Sequence, residues 1–228
     1  MTGRRAMHID FLIEDASGKI MLDGMLGSLL PPSSGVTWKV HSYRGVGHIP
    51  AKGTCDPETI RSRALLDNVP RILAGIGAAS KSSGFAWAVV VVCDLDKKNQ
   101  ATFAAQLQGL LSGIPDAPPT RFCLAIEEGE AWLLGDVPAI LKAYPKANRA
   151  ILKGYSNDSI CGTWELLAEA VYPGGAHALK VNGYHAVGTE KCNWAKSITL
   201  HMDLPNNKSP SFKSFVSAVM QLSRKDFV

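Results

Sequence analysis

Carboxylates are the residues of this 228-residue chain whose type and spacing suggest chemistry. Glu14 and Asp15 close the stretch MHIDFLI, Asp94 and Asp96 close AWAVVVVC, and Glu127, Glu128 and Glu130 follow TRFCLAI. Like charges gathered in one place repel, and a hard divalent cation with oxygen ligands is the usual offset. Mg2+ or Mn2+ in that role polarises a phosphoryl oxygen and supplies hydroxide, and two ions clamp the attacking and leaving oxygens. Asp94 and Asp96 stand two apart, so both reach one ion if the strand breaks between them. Plainer roles exist for each: an acid at a strand end often caps the next helix, which suits Asp15 and Asp96. Glu130, opening AWLL, would complement a helix dipole.

That chemistry requires the three acidic groups to converge, and the elements around them predict it. MHIDFLIED reads as a strand with Ile9, Phe11 and Ile13 on one face. Ser17 is the expected N-cap of a helix through KIMLDGMLGSLL, stopped by Pro31 and Pro32. VTWKVHSYRG follows as a second strand, then the Gly/Pro-rich loop GVGHIPAKGTCDP, with Asp56 and Pro57 starting a helix from Glu58 to about Ala79. AWAVVVVCDLD is apolar on both faces, as a central parallel strand covered on both sides must be. A helix from about Gln100 to Leu111, the strand TRFCLAIEE and a helical AWLLGD complete the alternation. This rhythm predicts an α/β fold, a parallel sheet flanked by helices. The C-terminal ends of such strands share one edge, where these folds bind ligands. Beyond residue 136 the pattern becomes mostly helical. WELLAEAVY follows the turn-like NDSICGT, TLHMDLPNNKSPS reads as loop, and SFKSFVSAVMQL reads as a closing amphipathic helix. Residues 1–136 are thus expected to form the core carrying the acidic site, and residues 137–228 a helical part packed on it.

Composition narrows the class. Hydrophobic residues make up 46% and charged residues 19%, ordinary for a soluble globular protein. The longest apolar run, Ala86 to Cys93, is too short for a membrane span. The opening MTGRRAMHIDFLIED meets Asp10 and Glu14 before any long apolar stretch, which argues against a signal peptide. Five cysteines without CxxC spacing predict a reduced, cytoplasmic protein and argue against a zinc site. Cys93 and Cys123 sit in strand-like runs as small hydrophobes. The six histidines lack HxH or HExxH spacing and read as surface or hydrogen-bonded residues, while Trp132, Trp164 and Trp194 read as core. Residues 1–136 carry 13 Lys/Arg against 14 Asp/Glu, and residues 137–228 carry 11 against 6. An acidic half followed by a basic half suits a polyanionic substrate, although an ordinary solvated basic surface explains the second half as well. Arg44, Lys52 and Lys97 fall near the acidic edge as contacts for phosphate or nucleic acid, or as solvated charges.

The segments FLIEDASGKIMLD, VVVVCDLD, AIEEGEAWLLGD, DSICGTWELLAEAVYPGG and NNKSPSF together span most of the chain. They resemble a TOPRIM-related family of bacterial proteins of unknown function. The TOPRIM domain is shared by topoisomerases, primases and overcoming-lysogenization-defect nucleases. The resemblance implies that Glu14 is the general acid/base or a metal ligand, that Asp94 and Asp96 are the DxD metal ligands, and that Glu130 supports a second metal. Glu127 and Glu128 stand beside it as further ligand candidates. TOPRIM sequences commonly place Gly beside the first Glu, whereas here Asp15 follows it. Relatives are often paired with an ABC- or AAA-type ATPase in phage defence. This chain has no Walker A motif, so such an ATPase would be a separate partner. The resulting expectation is a Mg2+-dependent nuclease acting on DNA or RNA. One alternative is a phosphatase or phosphotransferase using Asp94 as nucleophile, as in haloacid-dehalogenase-like enzymes. In those, however, the motif opens the domain and is followed by Thr or Val, not Lys97. The other alternative is a non-catalytic regulatory subunit, and oligomeric state stays open.

Overall fold

Strand β1 (Met7–Ile13) lies inside a four-stranded, all-parallel sheet, between β2 (Val36–Ser42) and β3 (Ala86–Asp94), with β4 (Thr120–Ala125) beyond β3. The computed structural model describes residues 7–50 and 62–224. Its register sets Ile13 beside Ser42 and Val92, and Asp94 beside Ala125, so the four strands finish on one edge.

Alternation along the strands feeds two apolar layers, as a parallel sheet buried on both faces demands. Ile9, Phe11, Ile13, Val90 and Val92 pack with Met21, Leu22, Met25 and Leu26 of helix α1 (Ala16–Leu29). On the opposite face, Leu12, Val89, Val91 and Cys93 pack with Leu65, Leu66, Val69 and Leu73 of α2 (Leu65–Ser83), and with Phe103 and Leu107 of α3 (Gln100–Ser112).

Several boundaries differ from the expectation. Asp15, not Ser17, caps α1: its Oδ1 accepts the Gly18 amide at 2.7 Å, and the Ser17 hydroxyl donates to Oδ2 at 2.7 Å. Ser17 is already helical, so its own side chain is past the capping position. The expected start of the second helix at Asp56 lies outside the described residues. Among the described ones α2 begins only at Leu65 and continues to Ser83, where Gly84 adopts a left-handed conformation. Asn68 Nδ2 donates to the Ser62 and Ala64 carbonyls at 3.0 and 2.7 Å, which occupies the turn in place of a helical ladder. The Leu65 and Leu66 amides then bond back to the Gly45 and Val46 carbonyls. Strand β4 stops at Ala125, because Glu127 turns to a φ of 63°. Likewise β2 ends at Ser42, where Tyr43 and Gly45 bond the Ile13 and Glu14 carbonyls.

The remaining helices are α4 (Glu130–Leu134), α5 (Val137–Ala143), α6 (Arg149–Gly154), α7 (Thr163–Val171), α8 (Gly175–Val181), α9 (Gly183–Thr199) and α10 (Pro210–Ser223). Helix α9 lies along α1, and α10 lies against β4. Trp132, Trp194, Ile198, Phe212 and Phe215 belong to the same apolar cluster as the α1 face of the sheet. The Phe215 ring sits 4.8 Å from Trp132 and 6.3 Å from Phe11, centroid to centroid. The loop before α10 threads tightly beneath α4. Buried Asn207 donates from Nδ2 to the Trp132 carbonyl at 2.8 Å, and a Cβ on Gly135 would stand 2.2 Å from Asn207 Oδ1. Only glycine fits there. Among the described residues no helix is long and apolar enough to cross a membrane.

Because Phe215 fills one core shared by sheet and C-terminal helices, Phe215→Ala is expected to cost about 3–5 kcal/mol. Urea unfolding should keep a single transition; a separate, earlier melting of the helical part would contradict the shared core.

Candidate metal centre at the strand ends

Glu14 follows the last residue of β1, Asp94 ends β3, and Glu130 opens α4. Glu14 Oε2 accepts the Asp94 amide at 3.4 Å, so the two neighbouring strand ends are joined through the first carboxylate. Glu14, Asp94 and Glu130 line one cavity of about 20 Å³ with Asp15, Ser17, Gly18 and Gly129. That volume admits a single water-sized species. Glu130 is buried, and its Oε2 has no hydrogen-bond partner.

A residue that the sequence reading did not select completes the group. Lys191, from α9, places Nζ 3.1 Å from Glu130 Oε2 and 3.2 Å from Glu128 Oε2. Toward Glu128 the contact is a hydrogen bond. Toward Glu130 it is an ion pair that is not a hydrogen bond. The signal for Lys191 was positional: it stands three, four and seven residues before Trp194, Ala195 and Ile198, all buried. On a helix those spacings share one face, so Lys191 heads the apolar stripe.

The other predicted residues divide between nearby roles. Asp96 sits at a φ of 50°, its amide bonded to the Glu127 carbonyl at 2.9 Å and its carboxylate ion-paired with Lys98. Glu127 turns its carboxylate to the start of α7, accepting amides from Cys161, Gly162 and Thr163 at 3.2, 2.8 and 2.8 Å. It therefore caps a helix of the C-terminal half. Lys97 is exposed and lines an open cavity of about 390 Å³ with Asp96, Glu127, Glu128 and Trp164. Arg44 is exposed just past β2, next to Gly45, whose amide bonds the Glu14 carbonyl at 3.2 Å. Lys52 lies outside the described residues. The structure thus brings Glu14, Asp94 and Glu130 around one cavity, sets Glu128 across Lys191 from it, and directs Asp96 and Glu127 elsewhere.

Electrostatics record the crowding. Burial raises the Asp94 pKa well above the usual range and Glu14 raises it further, while Lys191 opposes. Glu14 is raised by burial and by Asp96 and Asp15, against the Asp94 amide and Lys98. Burial lifts Glu128 to about 7 despite Lys191. Burial works against charge on Lys191, but Glu130, Glu128, Asp94 and Asp15 outweigh it and raise its pKa.

Oxygen donors of this kind are the type a hard divalent cation takes. The polar side chains lining the cavity offer oxygens, the cavity has the volume of one small species, and Glu130 Oε2, which lacks a hydrogen bond, has the Lys191 ammonium 3.1 Å away. Among the described residues no group of three or more His, Cys, Asp or Glu side chains is placed so that it could hold a metal ion. Mg2+ does not require one, since it keeps several waters and takes only one or two protein carboxylates.

In metal-free buffer the raised carboxylates set a pH dependence. A folded Glu128 that titrates near 7, against 4.5 ordinarily, holds a proton the unfolded chain has lost. Its contribution to stability is therefore complete below pH 4.5 and is lost as pH rises through about 7. Urea midpoints should fall across that window, and less steeply in Glu128→Gln. Lys191→Met, which leaves Glu128 and Glu130 uncompensated, should cost about 3–5 kcal/mol at neutral pH and less in acid. An unchanged midpoint in Lys191→Met would contradict this charge arrangement. No family model, no curated protein and no solved structure matches the chain.

Proposed function

We propose that the chain is a metal-dependent nuclease that cleaves phosphodiester bonds of DNA or RNA, with Mg2+ or Mn2+ held at the strand ends. The observation that carries this reading is the ion-sized cavity lined by Glu14, Asp94 and Glu130, with the Glu130 oxygen left without a hydrogen bond. Asp94 and Glu130 would hold the cation, which supplies polarisation of a phosphoryl oxygen and a more acidic bound water. Glu14, raised by burial, is suited to pass a proton to or from a reacting oxygen at the cavity mouth. Lys191 keeps Glu128 and Glu130 in place and limits the repulsion among the acids.

A polyanionic substrate fits the surroundings. Arg44 and Lys97 are exposed beside the edge, and the net charge of residues 137–228 is +5, from 11 Lys/Arg and 6 Asp/Glu. The resemblance to TOPRIM nucleases supports the same reading and adds a separate ATPase as a proposed partner in phage defence. The non-catalytic alternative predicts the same cation and no turnover.

Supercoiled plasmid, single-stranded DNA and RNA incubated with the chain and Mg2+ or Mn2+ test the proposal. Cleavage should appear with metal, vanish with chelator, and fall by roughly 100-fold or more in Asp94→Asn and in Glu14→Gln. Cation binding by calorimetry without cleavage of any substrate would favour the regulatory reading. Cleavage undiminished in Asp94→Asn would reject the site.

A further inference from the structure

Strand β4 closes one side of the sheet, and among the described residues no strand pairs with its outer edge. The Val89 amide donates to the Pro119 carbonyl and the Leu95 amide to the Ala125 carbonyl, both at 2.9 Å. The odd-numbered residues of β4 therefore turn their N–H and C=O groups toward β3. Phe122 and Leu124 turn theirs outward, because neighbouring residues of a strand alternate between its two sides. At Thr120 the outward carbonyl already accepts from Arg121 Nη1 at 3.2 Å. Phe122, Cys123 and Leu124 line a cavity of about 240 Å³ at this edge, between Ala104 of α3 and Ser214 and Ala218 of α10.

Little charge surrounds that cavity. Helix α3 has no charged residue, β4 only Arg121 and α10 only Lys213, although charged residues make up 19% of the chain. Depletion of charge marks the centre of an interface between proteins. The opposite edge of the sheet differs. There β2 exposes Lys39, a charge of the kind that discourages strands from pairing. Phe122 and Leu124 are half-buried, packing on the layer of α2 and α3 with part of each side chain left uncovered.

We propose that β4 pairs with β4 of a second copy of this chain, antiparallel about a two-fold axis that passes beside Cys123. In that register Phe122 faces the partner subunit's Leu124, and Leu124 faces the partner subunit's Phe122. Both are pairs that exchange N–H···O bonds, so the outward groups of each copy satisfy those of the other. The uncovered parts of both side chains are buried in the same step. Charge favours a second copy as the occupant, because identical faces meet well only where like charges stay apart. Arg121 faces the partner subunit's Ala125, and the two Arg121 residues stand roughly 14 Å apart along the strands, beyond the Debye length in physiological salt. Helix α3 meets its own copy with no charge on either side. The two strand-end cavities then open toward opposite ends of one continuous sheet. Pairing of this kind holds whether or not the chain cleaves nucleic acid, since the edge cavity and the strand-end cavity share no residue.

Sedimentation equilibrium and amide hydrogen exchange on the full chain, each over a range of protein concentration, test the pairing. Wild type should pass reversibly from monomer to dimer, and the Phe122 and Leu124 amides should gain protection in step with the dimer fraction. Phe122→Lys should weaken association by roughly 30-fold or more. Adding Leu124→Glu to Phe122→Lys sets opposite charges across each pair and should restore much of that loss. Lys39→Glu, on the other edge, should leave the dimer unchanged. The exchange measurement on wild type decides the case even if Phe122→Lys fails to fold. A monomer at every concentration, a dimer indifferent to Phe122→Lys, or amide protection independent of concentration would overturn the proposal. The last result would mean that another segment of the same chain covers the edge.

Discussion

A buried ammonium among carboxylates governs how this molecule is put together at its strand ends. Lys191 reaches Glu128 and Glu130 from α9, and Asp94 and Asp15 also act on its charge. Removing one partner from such a group leaves the others charged in a poor solvent, which makes the contact a requirement of the fold. Glu14, Asp94 and Glu128 all keep raised pKa values, first because burial disfavours their charged forms and then because neighbouring carboxylates repel.

The parallel sheet makes that concentration of charge unavoidable. Strands that run the same way deliver their C-terminal residues to one edge, and here each of β1, β3 and β4 is followed by acids. The fold separates them by turning the chain sharply after β3 and β4. Asp96 and Glu127 both take positive φ, which carries one carboxylate to Lys98 and the other to the amides that begin α7. Glu127 thereby links the edge to the C-terminal helices electrostatically, while Trp132, Phe212 and Phe215 link them by packing. The same residues that could repel are used to hold two parts of the chain together.

Much of this was legible in the order of residues. Uninterrupted apolar stretches such as Ala86–Cys93 have few solutions besides a strand covered on both faces, and the register then places Asp94 at the edge whatever the loops do. Alternation in MHIDFLI assigned Ile9, Phe11 and Ile13 to one layer, and they occupy it together. Helix ends were less legible. Asp15 and Ser17 both have the chemistry of a cap, and backbone geometry selects between them. Asn68 draws the Ser62 and Ala64 carbonyls away from a helical ladder, a competition that a propensity pattern does not reveal.

The sequence by itself determined the layers, the parallel sheet and the convergence of acids, because periodicity and strand direction are properties of local runs of residues. Tertiary structure alone decided the partners. Lys191 stands 61 positions beyond Glu130, as the numbering shows, and Glu127 meets the amides of residues 161–163. Which carboxylate faces a lysine, an amide or an open cavity depends on groups brought close by packing, and Coulomb and hydrogen-bond energies fall off over a few ångströms whatever the separation along the chain.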